Sequence, residues 1–177
     1  MTSIIKVNNI QNSSGTSAMT IDGSSNITFP QKIATSNLGS GSIIQVVETR
    51  LTSEFSTTST SFTNVGLSLA ITPNNSNNKI LLSATFTLYI ANAYLVCTIN
   101  KNHSGISDTN LETTSSQGLC QLHAGGTQGD PSCMSILDSP ATTNEVTYNI
   151  KMKVQSGTGY MCINSTPSIF QAMEVVG

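Results

Sequence analysis

The chain has 177 residues, of which 9% are charged and 37% hydrophobic, and its formal net charge is -2. Ordinary globular chains carry ~25% charged residues; here Ser, Thr, Asn and Gly fill the gap, and so small a net charge removes a main driver of disorder. Lys and Arg together number seven, Arg50 being the one arginine, so no basic stripe exists to hold a phosphate backbone and nucleic-acid binding is not expected.

Residues 1–42 read as a thin β arm. The first ten residues lack a basic start followed by an apolar core, so no signal peptide is expected. A short strand is predicted over Ile5–Ile10. Met19–Phe29 reads as a hairpin that turns at Asp22-Gly23, with Met19 and Ile21 facing Ile27 and Phe29. So few apolar groups cannot stabilise an isolated hairpin in water, which predicts packing against the same arm of neighbouring chains. Gly39-Ser40-Gly41 is expected to be a flexible joint.

From Ser42 onward, apolar residues alternate with period two, the mark of half-buried antiparallel strands. Lys79–Ala91 places Ile80, Leu82, Ala84, Phe86, Leu88 and Ile90 on one face. Glu145–Gln155 places Val146, Tyr148, Ile150, Met152 and Val154 inward, and Leu67, Leu69 and Ile71 repeat the pattern. Shorter strands are predicted at Ile43–Leu51, Tyr94–Lys101, Gly118–Leu122, Cys133–Asp138, Tyr160–Asn164 and Ile169–Val176. Turn-rich segments separate them, at 72–78, 125–131 and 139–144. The longest apolar stretch, Leu88–Ile99, is broken by Asn92 and Thr98 and is too short to span a bilayer, so no membrane insertion is expected. The expected fold is all-β: the arm, then an antiparallel jelly-roll-type β-sandwich head over residues 43–177.

The inventory for chemistry is thin, and no enzyme activity is expected. His103 and His123 belong to no HxH or HExxH spacing, and both read as surface or loop histidines. The carboxylates are scattered; Asp108 and Glu112 fall in one loop, whereas a glycosidase wants a pair across a cleft. Cys97, Cys120, Cys133 and Cys162 form no CxxC or metal-ligand spacing and read as buried, reduced thiols in strand interiors. No cofactor or metal is expected. Five Asn-x-Ser/Thr sequons, at Asn12, Asn26, Asn74, Asn102 and Asn164, read as a product of composition. Binding falls to the loops Asn100–Gln117, His123–Pro131 and Ala141–Asn144. The candidate receptor contacts are Asn102, His103, Asp108, His123 and Asp130, with Tyr94 and Tyr160 as candidate aromatic platforms for a sugar.

Val7–Gly23 resembles the N-terminal segments of marine and cyanobacterial phage tail-fibre-like proteins. Ser42–Thr49, Phe62–Pro73, Asn78–Leu82 and Ile169–Glu174 resemble the head domains that often follow. The resemblance implies a homotrimer with jelly-roll heads loosely like those of C1q and tumour necrosis factor, and it carries over no catalytic residue. It implies a virion protein assembled in the host cytoplasm: a tail-fibre or spike subunit that contacts a host surface glycan or protein. The runner-up is a capsid decoration or head-fibre protein bound through its arm to other virion proteins, and a capsule depolymerase comes third.

Overall fold

The structure is a computed structural model that describes residues 7–29, 38–112 and 117–177. The chain divides into two compact units, Met1–Gly39 and Ser40–Gly177.

In the first unit β1 (Asn9–Gln11), β2 (Ser17–Ile21) and β3 (Ile27–Thr28) form one antiparallel sheet, in the order β1-β2-β3. The predicted hairpin is present, with Ile21 opposite Ile27. Its turn is organised by Asp22, whose Oδ1 accepts the backbone N–H of Ser24 at 2.9 Å and of Asn26 at 2.8 Å, a local bonding pattern that favours turns over regular structure. The strand expected over Ile5–Ile10 is displaced: β1 starts at Asn9, and Ile5 lies outside the described residues. Val7, Ile10, Ile27 and Phe29 are exposed.

The second unit contains eleven strands among its described residues, β4 (Ile43–Leu51), β5 (Phe55–Thr57), β6 (Thr63–Ile71), β7 (Lys79–Ala91), β8 (Tyr94–His103), β9 (Ile106–Asn110), β10 (Cys120–His123), β11 (Thr127–Asp138), β12 (Val146–Val154), β13 (Gly159–Met161) and β14 (Ser168–Val175). Three positions are split. β4 and β5 pair with β14 and β13, which both pair with β7; β9 and β10 both pair with β8. Counting each split pair as one strand gives eight positions in two four-stranded sheets, (β4/β5)-(β13/β14)-β7-β11 and (β9/β10)-β8-β12-β6. The first position pairs with the eighth, the second with the seventh, the third with the sixth and the fourth with the fifth. This is the pairing of a jelly roll, so the predicted fold class holds.

Alternation does what periodicity predicted. Ile80, Leu82, Leu88 and Ile90 of β7 face Leu95, Cys97 and Ile99 of β8 and Ile150 and Met152 of β12 in one buried core. Each such side chain contributes roughly 1.5–3 kcal/mol on burial. Gly66, at φ 84°, lies between Asn64 and Ser68, where the register of β6 with β12 shifts, and the inward alternation of Val65, Leu67, Leu69 and Ile71 continues through it.

An even number of antiparallel strands puts both ends of the unit at one pole, called proximal here. There Gly41 N–H donates to Val176 O at 2.8 Å and Val176 N–H to Ser42 O at 2.9 Å, so the expected flexible joint is pinned at Gly41 to the last strand. Two buried polar networks also lie at this pole. Glu174, fully buried, accepts Asn74 N–H, Asn74 Nδ2–H and Asn78 Nδ2–H at 2.6 to 2.7 Å, tying the 72–78 connection to β14. Asp138 accepts Lys101 Nζ–H and Tyr148 Oη–H, both at 2.8 Å. Burial, then the Asp138 charge, raises the Tyr148 phenol well above its ordinary value.

Several expectations fail locally. The strand predicted over Tyr160–Asn164 ends early: Tyr160 and Met161 belong to β13, but Cys162 and Asn164 take φ values of 63° and 53° and the chain makes a single 3-10 turn, Ile163–Ser165. The 100–117 excursion is mostly β structure, because β8 continues to His103 and hairpins into β9, with residues 113–116 outside the described residues. The Gly-rich loop after His123 shrinks to three residues, since β11 starts at Thr127. All four cysteines are free thiols, but Cys133 is exposed and Cys120 half-buried, since they lie on the edge strands β11 and β10, and only Cys97 and Cys162 are buried.

Candidate functional site

Four connections meet at the opposite, distal pole: residues 58–62, Asn92-Ala93, 124–126 and 155–158. Backbone hydrogen bonds join them. Asn92 N–H donates to Gly126 O, Ala124 N–H to Ala93 O, Val154 N–H to Ser59 O and Gln155 N–H to Tyr94 O, all between 2.9 and 3.1 Å. Ala93 and Ala124 are buried and close the end of the core.

Directly beside this tied pole, the outer face of the β8 sheet carries a groove of about 590 Å³. Its floor is one cross-strand row, Gln121 opposite Val96 opposite Lys153. Its walls are Thr60, Tyr94, Gln117 and Gln155. Tyr94 stands opposite His123 in the ladder, and the two rings stack with centroids 4.2 Å apart and planes 18° apart. Tyr94 is 36% exposed, so the stacked pair forms an aromatic plate at the rim. Lys153 Nζ lies 4.6 Å from the centroid of the Phe62 ring, a cation–π contact that positions the ammonium along the wall. The described lining thus combines an aromatic plate, three glutamine amides able both to donate and to accept, one cation and no carboxylate.

The sequence-predicted candidates do not converge. His123 belongs to the plate. Asn102 and His103 lie at the other end of β8, at the proximal pole, so the two predicted loops do not share one surface. His103 faces inward, and both its imidazole nitrogens are buried without a hydrogen-bond partner among the described residues, which corrects its reading as a surface or loop histidine. Asp108, at φ 50° in β9, accepts from Lys151 Nζ and from Asn100 Nδ2; chiefly the Lys151 bond holds its carboxyl below the ordinary value. Asp130 sits in the edge strand of the other sheet, opposite Leu88. Of the two candidate platforms, Tyr94 lines the groove, whereas Tyr160 lies on the other sheet, half-buried and edge-on to Tyr89 with centroids 5.6 Å apart. Sequence reasoning missed Gln121, Lys153 and Gln155. The first two face outward on strands, and no sequence signal separates a groove floor from any other solvated strand face. Among the described residues no three of His, Cys, Asp and Glu come together as metal ligands.

The two outer faces differ in chemistry. Beyond the groove, the β8 sheet shows Thr98, Lys151 and Asn64 in one row and Asn100, Asn149 and Ser68 in the next. The β7 sheet instead carries an apolar row across all four positions: Val46 opposite Met173 opposite Leu81 opposite Leu137. Val46 is 57% and Leu137 50% exposed.

No protein-family model and no curated protein matches the chain. Among solved structures, the chain is similar to VP2 of infectious bursal disease virus in a subviral particle, at 13% identity and a TM-score of 0.40, covering 84% of this chain and 42% of that one. It is similar also to the same virus's Gx strain structure, at 13% identity and a TM-score of 0.36, covering 77% of this chain and 39% of that one. The chain thus spans about two fifths of the length of those proteins, and its function is argued from its own geometry.

Proposed function

We propose that the chain is a non-catalytic structural subunit of a phage particle, a tail-fibre or spike protein whose head contacts a host-surface glycan through the distal groove. The observation that carries this reading is placement. Both ends of the head lie at the proximal pole, where Gly41 and Val176 are bonded, and the groove lies beside the distal pole. A head held at its base therefore presents the groove outward. Aromatic plate and amides suit a hydroxyl-rich ligand, whose ring offers an apolar face and whose hydroxyls need both donors and acceptors. The resemblance of Val7–Gly23 and Ser42–Thr49 to fibre-like proteins supports the same reading.

Assembly as a homotrimer belongs to the proposal. The row Val46–Met173–Leu81–Leu137 is an apolar stripe on an outer sheet face, as an interface core requires, while the groove-bearing face is polar. Exposed Val7, Ile10, Ile27 and Phe29 give the N-terminal unit apolar surface for other copies or for other virion proteins. The test is cryo-electron microscopy of purified particles that carry an epitope tag at Gly177. Density for trimers at tail or spike positions, with heads outward, is expected. Density on the capsid surface supports the decoration role instead, and absence of the chain from particles overturns the virion reading.

A further inference from the structure

We infer that Cys97 and Cys120 are a latent disulfide pair, closed by a small-molecule disulfide such as oxidised glutathione, and that the closed bond pins β10 to β8. The inference holds whatever the groove binds. Register is the first argument. Cys120 stands directly opposite Cys97 in the antiparallel ladder of β10 with β8. Directly opposed residues carry their side chains on one face, with Cα atoms about 4.5–5.5 Å apart, inside the ~4.4–6.8 Å range that a disulfide spans. Here that face is the interior: Cys97 is buried in the core, and Cys120 packs half-buried against it. The other two thiols are engaged elsewhere. Cys133 is exposed beside the buried Met134 and so faces outward from β11, and Cys162 donates its Sγ–H to Leu51 O at 3.3 Å.

Mechanics is the second argument. β10 has four residues and, among the described residues, pairs only with β8. It nonetheless supplies Gln121 to the groove floor and His123 to the aromatic plate. So short a strand with one neighbour is the part of the sheet readiest to open, and a covalent bond at Cys120 ties its first residue down. The same freedom lets β10 close the roughly 1 Å between the Cβ separation of opposed residues and that of a disulfide. The chain already enters β10 pressed against this point: a Cβ on Gly118, at φ 67°, would lie 2.5 Å from Cys97 O.

The exchange balances. Cys120, the more accessible of the two, attacks a sulfur of oxidised glutathione as its thiolate, forming a mixed disulfide and releasing one glutathione. Cys97 then gives up its proton and attacks the Cys120 sulfur, expelling the second glutathione. Two protein thiols are oxidised, and one small disulfide is reduced to two thiols. Burial raises both thiols above their ordinary value, Cys97 furthest, so closure is slow at neutral pH and faster in base. A reducing cytoplasm keeps the pair open, and an oxidising medium outside the cell lets it close.

The experiment exposes the folded, full-length chain to oxidised glutathione at a pH of about 8.5, near the ordinary thiol value. The remaining thiols are then alkylated in denaturant, and the digest is mapped by mass spectrometry. Cleavage after Lys101 and before Asp130 places Cys97, Cys120 and Cys133 on separate peptides. Two peptides joined through Cys97 and Cys120, and split again by reductant, are expected. In the oxidised chain, amide exchange across 120–123 should slow by roughly tenfold or more, and reductant should restore the original rate. Cys120→Ser should abolish the joined peptides and leave exchange across 121–123 indifferent to the oxidant. Absence of the joined pair from the unaltered chain, or a bond from either cysteine to Cys133 instead, overturns the pairing. A Cys97–Cys120 bond that leaves exchange across 120–123 unchanged overturns the pinning of β10.

Discussion

Replacing Glu174 by Gln should destabilise the head by about 2–3 kcal/mol, although the change removes one charge and no bulk. The carboxylate is fully buried in β14, and the donors that satisfy it are neutral amides. Oε1 accepts Asn74 N–H at 2.6 Å and Asn78 Nδ2–H at 2.7 Å, and Oε2 accepts Asn74 Nδ2–H at 2.7 Å. With its amide turned, Gln45 adds a fourth donor to Oε2 at 3.1 Å. A carboxamide can keep one oxygen, so its NH₂ must face at least one of these donors. Hydrogen bonds to charged acceptors contribute about 1.5–3 kcal/mol each, and a buried donor left facing another donor costs about 1–3 kcal/mol. The relief of no longer burying an anion offsets part of that sum. For a unit spanning Ser40–Gly177 the expected fall in melting temperature is ~7–10 °C. Calorimetry of Glu174→Gln gives the number, and amide exchange should show lost protection in 74–78 alone. A variant within ~0.5 kcal/mol of the parent, with the 74–78 amides still protected, would refute the idea that this carboxylate anchors the connection.

Other expectations follow from single contacts. Val46→Asp with Leu137→Asp should convert a trimer to a species near 18.6 kDa by sedimentation without unfolding it, and a trimer that persists places the interface elsewhere. Tyr148→Phe should cost about 1–2 kcal/mol through the lost bond to Asp138, while in the parent the Tyr148 phenol should stay protonated well past the ordinary tyrosine range in an alkaline absorbance titration. Asp108 has a lowered folded pKa, so its pairing stabilises above the unfolded value of ~3.9 and is lost as pH falls through the folded one. Its side chain is 58% exposed, so Asp108→Asn should cost under ~1 kcal/mol at pH near 7 and nothing at pH near 2, as urea midpoints would show.

Most of the fold was legible because its longest strands alternate without interruption. The inward residues of β7 and β12 could be named from the sequence, since a one-residue slip in either would expose the whole core face. What was lost lies on split edge strands. β9 and β5 have too few residues to show a period, and β11 begins with Thr127-Gln-Gly-Asp-Pro131, turn chemistry held in a strand by its full register with β7. Pro131 is tolerated there because β11 is an edge. The candidate site was legible in part for a related reason. Tyr94 and His123 stood out by residue type, but their partnership depends on the register of β10 with β8, and Lys153 looked like one more solvated charge. His103 and His123 looked alike in sequence; twenty residues apart, they end on opposite poles.

The position of the groove follows from topology. With eight antiparallel positions starting at the proximal pole, connections one, three, five and seven must fall at the distal pole, and both chain ends must fall at the other. The groove takes Thr60 from the first distal connection, Tyr94 from the end of the second and Gln155 from the last, and His123, before the third, backs the plate. A site drawn from all four can be altered in one connection while backbone bonds to its neighbours hold the rest in place. The proximal pole has the opposite character. There the connections are locked by Glu174 and by Asp138 with Lys101 and Tyr148, so a substitution is felt by the core before it changes any surface. Variation that alters recognition should therefore be tolerated at residues 58–62, 124–126 and 155–158 and resisted at 72–78. A scan of single substitutions scored for folding by limited proteolysis would read out that asymmetry, and equal tolerance at the two poles would remove the structural basis for assigning the distal one to recognition.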